Sequence, residues 1–100
     1  MDGEALISND VLAGYAADAA REVPGVRALV GKHLPGRRGV KVADEGGRVT
    51  VELHLEVAWG VSIPQLGLDV QRRVGDYLEK MADVRPASVD VIVDEVATGP

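Results

Sequence analysis

The stretch RVTVELHLEVAWGVSIPQL, residues 48–66, decides the fold, because it contains both a strand and the start of a helix. Along residues 48–59, apolar and polar side chains alternate, which is typical of a strand with one buried and one wetted face. We therefore predict a strand over 48–59. Its buried face carries Val49, Val51, Leu53, Leu55, Val57 and Trp59.

The same stretch predicts a helix that begins at Ser62. Ser62 and Gln65 have the spacing of a capping box, and Pro64 falls in the first turn, where its missing N–H costs no hydrogen bond. Gly60 permits the bend between strand and helix. Farther along, apolar residues recur at helical spacing and form one stripe: Ile63, Leu66, Val70, Val74, Tyr77, Leu78 and Met81.

Leu68 lies outside this stripe, among the charged residues of the predicted helix. A single exposed leucine is common on protein surfaces and needs no function. Next to Pro64 and Trp59, however, it also marks a candidate partner surface. We predict that surface at Leu68, Trp59 and Pro64.

Upstream, a first helix is predicted from Ser8, a good N-cap, to a stop at Pro24-Gly25. Its apolar face carries Val11, Leu12, Tyr15, Ala19 and Val23. The other face is small and smooth: Ala13, Gly14, Ala17, Asp18 and Arg21. That face is either exposed to solvent or a close-packing surface for a partner helix.

Three further strands are predicted around these elements. Residues 26–30 form a short strand, 40–44 pair with the long strand across the turn 45–47, and 89–94 alternate in a closing strand. The order of helices and strands predicts an α+β fold, a two-layer sandwich. Its sheet has three to five strands, mainly antiparallel or mixed, with both helices packed on one face.

Length and composition limit the class of protein. One hundred residues make a single domain, 1–100, for which we expect short flexible termini at about 1–4 and 97–100. The formal charge of −5 disfavours generic binding to a phosphate backbone, and the lack of cysteine excludes disulfides. The sequence shows no signal peptide and no apolar run long enough to span a bilayer.

The loop GKHLPGRRG, residues 31–39, is basic in an otherwise acidic chain. Lys32, Arg37, Arg38 and the following Lys41 are candidate anion-contacting residues. The loop is either a mobile, solvated hairpin connection or a local site for lipid head groups, an acidic partner or RNA. No strand, glycine loop and helix follow one another here, so a phosphate-binding loop is not indicated.

Glu52, His54 and Glu56 share the wetted face of the long strand and raise the question of a metal or acid–base site. Neighbours on one face of a strand lie about 6.5–7 Å apart, too far to converge on one ion at about 2 Å. The adjacent strand offers Lys41, a cation. We therefore predict no catalytic, cofactor-binding or metal-binding residues, and a surface charge pattern instead.

Four stretches together resemble the alkaline shock protein family, also called envelope stress response or Gls-type general-stress proteins. They are ISNDVLAGYAADAAREVPGV (7–26), RVTVELHLEVAWGVSIP (48–64), LDVQRRVGDYLEKM (68–81) and VDVIVDEV (89–96). The likeness runs in order along nearly the whole chain, and Trp59 stands where the family usually has tyrosine. Two features depart from the family: Ala82-Asp83 replaces a usual Thr-Gly, and the central loop is basic and contains proline.

The resemblance implies a non-enzymatic bacterial protein that acts in envelope stress and homeostasis. It implies a cytoplasmic location, peripheral to the inner face of the cell membrane. The expected partners are a second copy of the chain, in a homo-oligomer, and a small membrane-anchored protein of related sequence.

The alternative is a small nucleic-acid-binding module that uses the basic loop 32–41. RNA-binding domains of this size usually show exposed aromatic residues or a broad basic face. Neither is evident in the sequence, so nucleic acid is not the expected partner.

Overall fold

The computed structural model describes residues 7–31 and 39–99. These residues form α1 (Asn9–Arg21), β1 (Val26–Leu29), β2 (Val40–Glu45), β3 (Arg48–Val57), α2 (Ile63–Ala82) and β4 (Ser88–Val96). The predicted α+β class is confirmed. Three of the candidate anion-contacting residues lie outside the described residues: Lys32, Arg37 and Arg38.

β3 is the central strand of a mixed sheet. β1 and β2 both pair antiparallel with it, β1 against residues 55–57 and β2 against residues 48–53. β4 pairs parallel with residues 50–57, so it lies on the opposite side of β3. The parallel pair follows from the connection, because α2 carries the chain back over the sheet between β3 and β4.

β1 and β2 are two parts of one interrupted edge. The N–H of Val30 donates to the carbonyl of His54, and the N–H of His54 donates to the carbonyl of Gly39. Gly39 has φ 75°, and a Cβ placed on it would lie 2.9 Å from the backbone nitrogen and oxygen of Val30. The two strands therefore meet at a join that only glycine fits.

The core lies between the inner face of β3 and the two helices. The predicted alternation of β3 is confirmed, because its inward side chains are all buried: Val49, Val51, Leu53, Leu55 and Val57. Trp59 was wrongly expected to continue this buried row, since β3 ends at Val57 and Trp59 is 61% exposed. The N–H of Ala58 donates to the carbonyl of Gly25, the residue before β1 begins. β1 therefore offers no further partner to β3, and the chain turns.

α1 begins as predicted, with the Ser8 hydroxyl accepting a hydrogen bond from the N–H of Val11. Of the two alternatives for its small face, close packing is observed, because Ala13 and Ala17 are buried, whereas Val11 was wrongly expected on the buried face and is 44% exposed. α1 packs against α2 and against the sheet at once, so it buries a wider face than one stripe. The small alanines allow that close approach on two sides.

α2 begins where the sequence indicated, with the Ser62 hydroxyl accepting from the N–H of Gln65. The reciprocal half of the capping box is replaced, because the Gln65 side chain donates to Asp69. The middle of the predicted stripe is buried, at Leu66, Val70, Val74 and Leu78. Ile63 and Met81, at the two ends of the helix, are exposed.

Candidate functional site

A histidine held between two carboxylates occupies the outer face of the sheet. His54 Nε2 lies 2.7 Å from Glu52 Oε2, and His54 Nδ1 lies 2.8 Å from Asp94 Oδ2. The hydrogen bond with Glu52 raises the pKa of His54; partial burial opposes this, and Asp94 adds to it. Only the imidazolium has a proton on both ring nitrogens to donate, so the arrangement favours the charged form.

The geometry does not form a metal site. The carboxylates of Glu52 and Asp94 lie at opposite nitrogens of one ring and point at that ring rather than at a shared point. Residues 7–31 and 39–99 contain no group of three or more His, Asp or Glu side chains arranged to hold an ion. The cluster instead ties β3 to β4 across the outer face.

Sequence reasoning found Glu52 and His54 but missed Asp94. The register pairs His54 with Ile92, two residues before Asp94, and it shifts between Leu55 and Glu56. A bulge of this kind re-aims side chains, which is how Asp94 reaches the ring. Only the pairing of β3 with β4 reveals that contact.

Lys41 lies on β2, directly opposite Glu52 of β3. It is the one candidate anion-contacting residue within the described ranges. Together with Glu52 and Asp90 it lines a shallow depression on the outer face. Carboxylates therefore surround Lys41, which disfavours an anion at this point.

The candidate partner surface is exposed at all three positions. Trp59 and Leu68 are 61% and 55% exposed, and Pro64 is exposed as well. Gly99 covers one part of the Trp59 ring, since a Cβ built on Gly99 would lie 3.1 Å from the indole nitrogen. Pro64 and Leu68 stand one turn apart on α2, whereas Trp59 precedes the helix.

The two flanks of α2 differ in charge. One flank carries Asp69, Arg72, Arg73 and Asp76, and Arg73 bonds Glu22, the C-cap residue of α1, at 2.8 Å. The other carries Pro64, Gly67, Leu68, Gln71 and Gly75. It faces β4, because Gln71 Nε2 donates to the carbonyl of Val89 at 2.9 Å.

β4 is an edge strand. Among the described residues it pairs with β3 alone. The carbonyl of Val89 points away from β3 and accepts a hydrogen bond from Gln71. Because the direction of the backbone groups alternates along a parallel ladder, the N–H and carbonyl groups of Val91 and Val93 also point away from β3. The inward side chains of these three valines are only partly buried.

No helix in residues 7–31 or 39–99 has the length and apolar character that crossing a membrane requires.

Solved structures with a similar fold include variants of the MamM CTD. One superposes with a TM-score of 0.59 at 17% identity, covering 89% of this chain and 95% of the other. A cadmium form of a MamM CTD variant gives 0.59 at 17% identity, covering 88% and 98%. At this identity the likeness shows the fold alone.

Sequence relatives extend over most of this chain. Spy1535 of Streptococcus pyogenes, an uncharacterised protein, is 28% identical over 102 residues, covering 94% of this chain and 79% of its own length. YqhY of Bacillus subtilis, also uncharacterised, is 30% identical over 101 residues, covering 89% and 73%.

The model of the alkaline shock protein 23 family matches residues 1–98, nearly the whole chain. The stretches that carried the resemblance in the sequence lie within this match and form α1, β3, α2 and β4. The chain therefore belongs to the alkaline shock protein 23 family, whose function is related to the cell envelope.

Proposed function

We propose that this protein is a non-enzymatic scaffold of envelope stress response and homeostasis, which binds itself and is recruited to the inner face of the membrane by a partner. The family match over residues 1–98 carries this proposal. The exposed apolar side chains support it, because surface patches of this kind mark sites of protein contact.

The self-association surface is placed at the end of the sheet where β3 gives way to α2. Trp59, Ile63 and Val96 are exposed there, and Val96 lies opposite Val57 at the end of β4. A large aromatic residue beside aliphatic ones is the composition that anchors protein interfaces. Leu68, a turn beyond Pro64 on α2, is the second candidate contact.

A non-enzymatic role fits the chemistry of the outer face. Both ring nitrogens of His54 are occupied by carboxylates of its own chain, so neither is available to a substrate. The other partner surfaces are apolar side chains and backbone. These groups recognise another polypeptide rather than catalyse a reaction.

Light scattering over a concentration series tests self-association. We expect the wild-type mass to exceed that of a monomer, and Trp59→Ser to return it toward the monomer. Arg85→Ser, at another exposed position, is the matched control and should leave the mass unchanged. A wild-type protein that stays monomeric at high concentration contradicts the scaffold proposal.

Recruitment is tested by capture of the tagged protein from detergent-solubilised membranes. We expect recovery of a small membrane-anchored protein, and we expect the tagged chain to leave the membrane fraction when that partner is deleted. A tagged chain that never co-sediments with membranes contradicts recruitment and leaves self-association to its own test.

A further inference from the structure

We propose that the β4 edge binds an extended segment of a different polypeptide, one that alternates apolar and basic residues and adds a strand to the sheet. This inference rests on the proposed function, since it specifies the chemistry of the recruiting partner. It is argued from the backbone of β4, the flank of α2 above it and the charges below it.

The backbone of β4 offers unused hydrogen-bonding groups before its register shifts at Asp94. The strand runs for nine residues, and the outward groups of Val91 and Val93 have no partner strand among the described residues. At Val89 the Gln71 side chain already satisfies the outward carbonyl, so pairing is expected to centre on the two later valines. Extended peptides bind domains in this way by completing a sheet edge.

The flank of α2 that overhangs this edge is uncharged and low in relief. A Cβ built on Gly67 or on Gly75 meets no atom of the described residues within 4 Å, so no contact among these residues requires glycine at either position. Leu68 projects from the same flank and is 55% exposed. The inward apolar side chains of an added strand would pack beside the partly buried valines of β4 and beneath this flank.

The charges on β4 determine what the other face of the added strand must carry. Its ionisable residues are all acidic: Asp90, Asp94 and Glu95. All three are exposed, but the Asp94 carboxylate is paired with His54, so Asp90 and Glu95 are the acids that can contact a partner. Opposite charges on neighbouring strands stabilise pairing, so lysine or arginine at alternate positions complements this edge.

A second copy of this chain would bring the same acidic charges to the β4 edge. Antiparallel pairing of two β4 strands about Ile92 would set Asp90 of each copy against Asp94 of the other, and like charges directly opposite destabilise a sheet. The other edge of a second copy is broken between Val30 and Gly39 into strands of four and six residues. Neither edge of a second copy complements the length and the acidic charge of β4, whereas a basic partner segment does.

The test uses the full chain and a fluorescent nine-residue peptide that alternates valine and lysine, matched in length to β4. Binding is followed by anisotropy, and the site by hydrogen exchange. We expect saturable binding that slows exchange of the Val91 and Val93 amides, and an affinity roughly tenfold weaker when glutamate replaces lysine in the peptide. Alternate N-methylation of the peptide backbone should abolish binding, since it removes the hydrogen bonds of one edge.

Two exposed substitutions locate the interaction without disturbing the core. Asp90→Lys should weaken binding of the valine–lysine peptide and favour the valine–glutamate peptide. Asp76→Lys, on the charged flank of α2, makes the same charge change away from the edge and should have little effect.

Three results would overturn the inference: no saturable binding, protection that appears at β1 and β2 instead, or Val91 and Val93 amides already fully protected in the free protein. Each is read separately from self-association, because the scattering mass of the wild-type protein is measured in the same samples. A wild-type protein that self-associates but does not bind the peptide rejects the edge site alone.

Discussion

The two edges of the sheet differ in the length of their strands, in their charge and in how far they are buried beneath the helices. On one side of β3, β1 and β2 are short, joined at Val30 and Gly39, and packed beneath α1. On the other side, β4 is a single nine-residue strand whose inward valines are only partly buried. The ionisable residues of β1 and β2 include the basic Arg27 and Lys41 as well as acidic residues, whereas those of β4 are all acidic.

This difference indicates which edge is closed to other chains and which remains usable. Natural sheets protect their edges by shortening strands, by bulges and by charge. The interrupted edge uses the first two devices, since its strands are short and its register shifts between Val26 and Ala28. β4 is longer and its register with β3 shifts only at Asp94. Along residues 88–93 it relies on charge, which repels acidic strands and admits basic ones.

The join at Gly39 gives the largest expected effect. Gly39→Ala should lower the free energy of unfolding by about 2–5 kcal/mol, because the new methyl group adds a clash with the Val30 backbone to the strain of φ 75°. Gly46→Ala is the control, with φ 64° and open space around its Cβ, and should cost about 1–2 kcal/mol. Denaturant unfolding measures both, and equal losses would show that the join is not close-packed.

Local signals explain what the sequence could predict about these edges. The alternation of β3 and the cap at Ser62 depend on neighbouring residues, and both were predicted correctly. The prediction that Trp59 is buried was wrong because the alternation of apolar and polar residues continues beyond the last residue of β3 that β1 can pair with. The sequence left open whether Ala13 and Ala17 are buried, because a face of alanines is compatible both with solvent and with a closely packed helix.

The edge itself could not be predicted from the sequence. Alternating valine and aspartate from Val89 to Asp94 indicated a strand, but whether a strand is central or peripheral depends on pairing between distant residues. For the same reason Leu68 was found as an exposed leucine, while the free backbone beneath its flank was not. The contact of His54 with Asp94 depends likewise on the register of two strands.

The tie between His54 and Asp94 is the next effect in size. Asp94→Ala should cost about 1–2 kcal/mol, the value of a charge-assisted hydrogen bond reduced for partial exposure. Asp90→Ala removes the same charge from the same strand and should cost less than 0.5 kcal/mol. Thermal unfolding compares the two, and an equal loss would assign the effect to net charge.

The same tie predicts a pH dependence of stability. The pKa of His54 is raised in the folded protein, so folding favours the protonated ring. The stabilisation is therefore complete below the unfolded pKa of about 6.5 and is lost as the pH rises through the folded pKa. The difference in melting temperature between wild type and His54→Gln should be largest below neutral pH and should shrink as the pH rises through the raised pKa of folded His54, and a constant difference would contradict this.

The contact of Gln71 with β4 is smaller. Gln71→Ala should cost about 0.5–1.5 kcal/mol, because it removes the hydrogen bond to the Val89 carbonyl, and should speed amide exchange along β4. Gln65→Ala removes a glutamine that bonds only within α2 and is the matched control. Faster exchange in β1 and β2 but not in β4 would show that this side chain does not support the acidic edge.

The smallest expected effect tests whether the glycines of α2 are needed for folding or for binding a partner. Gly75→Ala should stabilise the protein by about 0.5–1 kcal/mol, because alanine favours the helix and its methyl group meets no atom within 4 Å. Gly14→Ala makes the same change in α1, also into open space, and should stabilise by a similar amount. If both variants gain stability but Gly75→Ala alone weakens the valine–lysine peptide, the glycine flank contributes to recognition at the β4 edge. If both leave binding unchanged, the partner contacts the strand and not the helix above it.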